Sequence, residues 1–263
     1  MDIENINFFN NNGINIAWKE IGKGEPILLI HGFASTAYVN WVATGWVDFL
    51  VDAGYRVILM DNRGHGRSEK LHDPKCYYPK VMAQDAINLL EYLNISQAHI
   101  MGYSMGARLS ATIAVIKPEL VKTLIMGGLG IGITKGTGDW QTVAHALLAE
   151  SLSQVTDLRG RMFRKFAEHN KSDLKALAAC VETSKEELTI AELEKIQAAT
   201  LIVVGEKDEI AGDPFELADI IKNAKAISIP RRDHMLAVGD KIYKQETLEF
   251  LKNNPILGEY SES

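Results

Sequence analysis

Gly102-Tyr103-Ser104-Met105-Gly106 decides how this chain is read. Before it, Ala98-His99-Ile100-Met101 has the short apolar character of a buried strand, and after it Ala107 to Ile116 has the small and aliphatic pattern of a buried helix. A serine between two such elements sits on a sharp strand-to-helix turn, and only small neighbours leave room for it. The glycines at 102 and 106 provide that room. The turn pushes the hydroxyl out at the top of the sheet and sets the Met105 amide at a helix N-terminus, where it can stabilise an oxyanion. A glycine-flanked serine also fits a plain helix N-cap. The strand before and the helix after select the nucleophile reading for Ser104.

Working outward, short continuous apolar strands alternate with helices. Strands are expected at Gly13–Ile21, with Ile6–Asn10 as a possible partner, and at Pro26–Ile30, Tyr55–Met60, 98–102, Lys122–Gly127, Thr200–Gly205 and Lys225–Ile229. Helices are expected at Trp46–Ala53, Pro79–Leu93, 105–116, Pro214–Ile221 and Lys241–Lys252. Such a pattern indicates an α/β fold with a mostly parallel central sheet covered by helices on both faces. Between about Gly130 and Ile196 the rhythm breaks. That stretch is rich in helix formers, with apolar spacing at Trp140–Leu152, Leu158–Ala167 and Leu174–Val181, and reads as a helical cap inserted between two strands. The expected organisation is therefore a core over 1–129, a cap or lid over 130–196 and the rest of the core over 197–263. The last ten residues, Asn254–Ser263, read as a frayed polar tail.

A serine hydroxyl needs a base to take its proton. His234, in Pro230-Arg231-Arg232-Asp233-His234-Met235 between the last strand and the last helix, can return its imidazole to the top of the sheet. The other histidines, at 31, 65, 72, 99, 145 and 169, are read as surface or hydrogen-bonded structural residues as regards a base role. The imidazole in turn needs a carboxylate to fix its tautomer. Asp208, just after the strand ending at Gly205, is the preferred candidate, and Glu206, Asp213 and Asp233 compete with it.

The chain at this point resembles the α/β-hydrolase fold family, whose triad runs in the same serine, acid, histidine order. His31-Gly32-Phe33, following the strand Ile27–Ile30, resembles the family's H-G-aromatic turn, and the resemblance implies that the Phe33 amide completes an oxyanion hole with Met105. Asp61-Asn62-Arg63-Gly64-His65-Gly66-Arg67-Ser68 resembles the family's D-x-R-G-x-G-x-S loop, which is mainly structural there, so Asp61, Arg63 and His65 stay outside the catalytic set. The resemblance runs from about Gly13 to Leu251. A serine at position 104 is similar to the esterase side of the superfamily, whereas its dehalogenase and epoxide hydrolase branches use aspartate there. One departure is that Ala107 and Arg108 follow Gly106 where many relatives have a further glycine. Alanine still permits close helix–sheet packing.

Composition narrows the partners. The net charge of -6 argues against a nucleic-acid footprint or a polybasic membrane patch. No stretch approaches the roughly 20 apolar residues of a bilayer span, and Met1-Asp2-Ile3-Glu4-Asn5 lacks the basic-then-apolar pattern of a secretory leader. Cys76 and Cys180 show neither disulfide nor metal spacing, so free thiols in a reducing cytoplasm are expected.

The expectation is thus a cofactor-free and metal-free serine hydrolase acting on a small-molecule acyl substrate. Ser104 is nucleophile, His234 base and then acid, and Asp208 the orienting carboxylate. A carboxylic ester of modest size is the substrate that the resemblance implies. Carbon–carbon hydrolases, lactonases, thioesterases and cofactor-free perhydrolases share the same residues, and a slow-turnover ligand-binding or signalling protein is the alternative from another class. Arg108 is expected on the helix surface or paired with a loop, with a substrate carboxylate as its other candidate contact. Arg159, Arg161, Arg164 and Lys165 read as a solvated cationic helix face, or as the source of one arginine that enters the pocket and selects an acidic substrate. Trp140, Met162, Phe163 and Phe166 are read as pocket lining or cap core, with Trp140 and Phe163 the candidate substrate contacts. The oligomeric state is left open.

Overall fold

Eight strands form one sheet in the order β1-β2-β4-β3-β5-β6-β7-β8. They are β1 (Asn7–Asn11), β2 (Ile14–Ile21), β3 (Pro26–Ile30), β4 (Arg56–Met60), β5 (Ala98–Tyr103), β6 (Val121–Gly127), β7 (Ala199–Gly205) and β8 (Ala224–Ile229). The computed structural model describes residues 5–256. The leader reading of Met1–Asn5 therefore falls mostly outside the described residues, as does the tail reading beyond residue 256. β2 runs antiparallel to both its neighbours, β1 and β4, and β3 to β8 are parallel to one another.

Every residue of β3 and β5 is buried, as expected for central parallel strands covered on both faces. Their side chains alternate between two cores. Leu28 and Ile30 pack with α2 (Pro79–Tyr92) and α3 (Met105–Ile116), while Ile27 and Leu29 pack with α1 (Trp46–Asp52) and with Tyr243 and Leu251 from the C-terminal helix. Each such fully buried aliphatic side chain contributes on the order of 1.5–3 kcal/mol.

Between β6 and β7 the chain leaves the sheet for α4 (Gly132–Lys135), α5 (Gln141–Leu148), α6 (Leu158–His169), α7 (Leu174–Thr183) and α8 (Ile190–Leu193). This helical segment is tied to the sheet by specific bonds. Thr183 Oγ1 donates to the Pro74 carbonyl and Asn170 Nδ2 to the Ala34 carbonyl. The helix expected to run through Trp140–Leu152 ends instead at Leu148, with Ala149 already extended. The cause is Arg164, whose Nη1 donates to the carbonyls of Ala146, Leu147 and Ala149 and so caps the end of α5. After β7 come α9 (Pro214–Ala218), shorter than the helix expected to Ile221, and finally α10 (Lys241–Lys252).

The strand order reverses at β3, which lies between β4 and β5. The loops leaving the C-terminal ends of β3 and β5 therefore diverge and leave a crevice between them, where sites form in parallel sheets. Ser104 stands at that crevice.

Candidate active site

Ser104 adopts φ 55° and ψ -113°, a backbone conformation that a non-glycine residue reaches only when its surroundings impose it. Two glycines permit the strain. A Cβ on Gly102 would strike the Gly106 carbonyl, and one on Gly106 would strike the Ile30 carbonyl. The turn is held by the Ser104 amide donating to the Gly127 carbonyl at 2.7 Å.

Three loops then converge. Ser104 Oγ–H donates to His234 Nε2 at 3.0 Å, and His234 Nδ1–H donates to Asp208 Oδ2 at 2.7 Å. The Asp208 carboxylate is wholly shielded from solvent, and its other oxygen accepts the amides of Ile210 and Ala211. A buried acceptor on Nδ1 fixes the tautomer that leaves Nε2 free to receive the serine proton. Tyr103 steadies the histidine loop from below by donating its hydroxyl to the His234 carbonyl at 2.6 Å.

The competing carboxylates are committed elsewhere. Asp233 accepts the amides of Met235 and Leu236, Asp213 caps α9, and Glu206 accepts the Arg231 amide. Cys180 offers no rival nucleophile, because burial pushes its thiol up to about 12.

Met105 is the first residue of α3, so its N–H belongs to the unpaired N-terminal donors of that helix. Phe33 lies across the crevice in a recess of about 40 Å³ that it shares with Gly32, Ser104, Phe163, Phe166 and His234. Asn40 sets this turn: its Oδ1 accepts the Gly32 amide at 2.7 Å. Nothing in the sequence around Asn40 signals that role. A second, narrower recess on the Met105 side is lined by Arg108, Trp140 and Lys185. An outer cleft of about 390 Å³, lined by Leu158, Arg159, Met162, His234 and Met235, opens beyond the histidine.

The candidate substrate residues separate. Phe163 packs against Phe33 at 5.7 Å and Trp140 at 5.2 Å between ring centroids, and Phe33 meets Trp140 at 6.1 Å, so all three aromatic rings meet beside Ser104. Arg108 is not at the helix surface. It is 2% exposed and donates to the carbonyls of Gly132, Ile133 and Glu186, pairing with a loop and tying α3 to the cap segment. The cationic cap face is also less solvated than its composition suggests. Arg164 is buried, and Arg161 donates to the Leu152 and Val155 carbonyls. Arg159 stacks on Trp140, its guanidinium carbon 4.0 Å from the ring centroid.

Lys185 was not singled out by sequence, since no periodicity or motif marks it. Its ammonium lies 3.8 Å from the Trp140 centroid and 5.2 Å from that of Phe33. Burial, and then the charge of Arg108, lower its pKa to about 7.

The D-x-R-G loop is structural. Asp61 accepts the amides of Ala37 and Arg67, and Arg63 forms a bidentate pair with Asp85. His31 and His65 are buried and neutral, burial lowering them to about 4 and about 3. Among the described residues, no three His, Cys, Asp or Glu side chains gather as a metal site, and no helix is long and apolar enough to cross a membrane.

Residues 25–130 match the sequence family described as alpha/beta hydrolase fold. A crystallised hydrolase from Pseudomonas aeruginosa superposes with a TM-score of 0.79 at 22% identity, over 95% of this chain and 99% of that one. The chain has the α/β-hydrolase fold, and its sequence match to that family spans residues 25–130. Two curated relatives extend the comparison. A Mycobacterium tuberculosis protein carrying the name non-heme bromoperoxidase BpoC is 27% identical over 84% of this chain and 91% of its own length. An epoxide hydrolase of Caballeronia sordidicola is 36% identical over 48% of this chain and 37% of its own length.

Proposed function

We propose that this α/β-hydrolase cleaves a small carboxylic ester through an acyl-enzyme. The observation that carries the reading is the unbroken chain from Ser104 Oγ–H through His234 to the buried Asp208 carboxylate.

His234 takes the serine proton as Ser104 attacks the ester carbonyl. The Phe33 and Met105 amides hold the oxygen that becomes negative, an effect worth on the order of 3 kcal/mol per donor in comparable sites. Asp208 stabilises the imidazolium without taking its proton. His234 then protonates the departing alkoxide. It lines both the 40 Å³ recess and the 390 Å³ outer cleft, so the alcohol leaves into the cleft beside Met162 and Met235. Water, activated by the same imidazole, releases the acid. No step requires a metal or an organic cofactor.

A serine nucleophile sets this reading apart from the epoxide hydrolases of the superfamily, which use aspartate at this position. The free thiols of Cys76 and Cys180 accord with a reducing compartment, and a cytoplasmic location is part of the reading.

The test is hydrolysis of p-nitrophenyl esters from acetate to long acyl chains by wild type and by Ser104→Ala. Turnover that favours short chains and collapses in the variant supports the proposal. Undetectable turnover of every ester by the wild type, or full activity in the variant, contradicts it.

A further inference from the structure

Three cations surround Trp140 and the Met105 side of Ser104: Lys185, Arg108 and Arg159. Their surroundings differ. Arg108 spends its donors on cap carbonyls, and Glu187 is the carboxylate that acts on it. Arg159 feels Asp157 and Asp139, but its Nε and Nη2 are buried without a hydrogen-bond partner among the described residues. The Lys185 ammonium has neither a hydrogen bond nor an ion pair among them. The groups that act on it are Arg108 and Arg159, both cations, and the Cys180 thiol, which burial keeps protonated.

A half-buried ammonium that faces two like charges is costly to hold, and ring faces offset only part of that cost. Here the cation lines the same recess as the nucleophile, and Ile210 lines both that recess and the outer cleft into which the alcohol departs. A group arriving in this recess with the acyl portion meets Lys185 directly, and an anion supplies both the missing acceptor and the missing counter-charge.

Resting on the serine-hydrolase reading, we propose that the acyl part of the substrate ends in a carboxylate, which Lys185 binds over the rings of Trp140 and Phe33, with Arg159 adding positive potential from Trp140. The substrate class is then the half-ester of a short dicarboxylic acid. At about 10 Å³ the recess has room for little beyond the terminal group itself, so the acyl chain is short. Charge and selectivity work together, because a neutral acyl group of the same length leaves the ammonium unpaired.

Mono-p-nitrophenyl glutarate and p-nitrophenyl valerate, which match in length and differ in terminal charge, test the proposal. Wild type is expected to favour the glutarate ester by tenfold or more in kcat/KM. Lys185→Met should lower the glutarate-to-valerate ratio at least tenfold, mainly through KM, while Lys185→Arg keeps the preference. Binding of free glutarate to Ser104→Ala, followed by calorimetry with and without Lys185→Met, reads the site without turnover. Lysine-dependent glutarate binding upholds the anion site even if both esters resist hydrolysis, in which case the hydrolase reading alone fails. A wild type that prefers valerate, a ratio unmoved in a folded Lys185→Met protein, or glutarate binding indifferent to Lys185 overturns the proposal.

Discussion

The His234 imidazole and the Asp208 carboxylate meet at 2.7 Å although they lie 26 residues apart, on the loops that follow β8 and β7. Parallel neighbouring strands make this possible, because their C-terminal ends open at the same edge of the sheet. The carboxylate is fully shielded and doubly bonded to backbone amides, so it orients the imidazole rigidly.

Asp208→Asn should therefore keep the fold and lose about 10⁴-fold in kcat, since an amide there favours the wrong imidazole tautomer. Asp233→Asn, adjacent to the histidine but engaged with the amides of Met235 and Leu236, should retain activity within a few-fold. Steady-state kinetics on a short-chain ester compares the two.

Gly106→Ala should destabilise the protein by about 3 kcal/mol or more, because its methyl group meets the fixed Ile30 carbonyl of the central strand. Chemical denaturation of the purified variant measures the loss. A change below about 0.5 kcal/mol would show that the elbow tolerates a wider turn than the structure indicates.

Acid should weaken the fold well before the carboxylates titrate. His31 accepts the Asn62 amide at Nε2 and donates to the Gly32 carbonyl from Nδ1. His65 lies against it at 5.2 Å between centroids. Both have folded-state pKa values, about 4 and about 3, below the unfolded value of 6.5. The unfolded chain therefore binds more protons, and stability falls as pH drops from 6.5 towards 4. His31 alone accounts for on the order of 3 kcal/mol across that window. Denaturant midpoints at pH 7.5, 6 and 5 should decline in order, and His65→Gln should flatten the decline.

Arg164→Met removes the donor that satisfies three carbonyls at the end of α5. The expected cost is about 2 kcal/mol, with faster amide exchange concentrated in residues 141–149. Uniform exchange across the chain would contradict the capping role.

Much of this architecture could be read from sequence, for identifiable reasons. Strands such as Leu28–Ile30 and Ile100–Met101 are continuously apolar because both faces of the sheet are covered, and glycines at 102 and 106 mark a turn that no larger residue fits. Ser104, Asp208 and His234 each follow a strand, so their convergence was visible in their order. Tertiary contacts settled the rest. Arg108 and Arg164 look like surface charges in a linear pattern, yet both bury their heads among backbone carbonyls contributed by other elements. Asn40 and Lys185 carry no local signal at all. One matters through a bond to Gly32 and the other through ring faces brought in from Phe33 and Trp140.

Labelling with a fluorophosphonate, followed by peptide mass spectrometry, tests the central claim most directly. The account predicts a single adduct on Ser104, strongly slowed in His234→Ala and absent in Ser104→Ala, together with loss of ester turnover in proportion to labelling. An adduct on another residue, or an unlabelled Ser104 in the folded wild type, would contradict it.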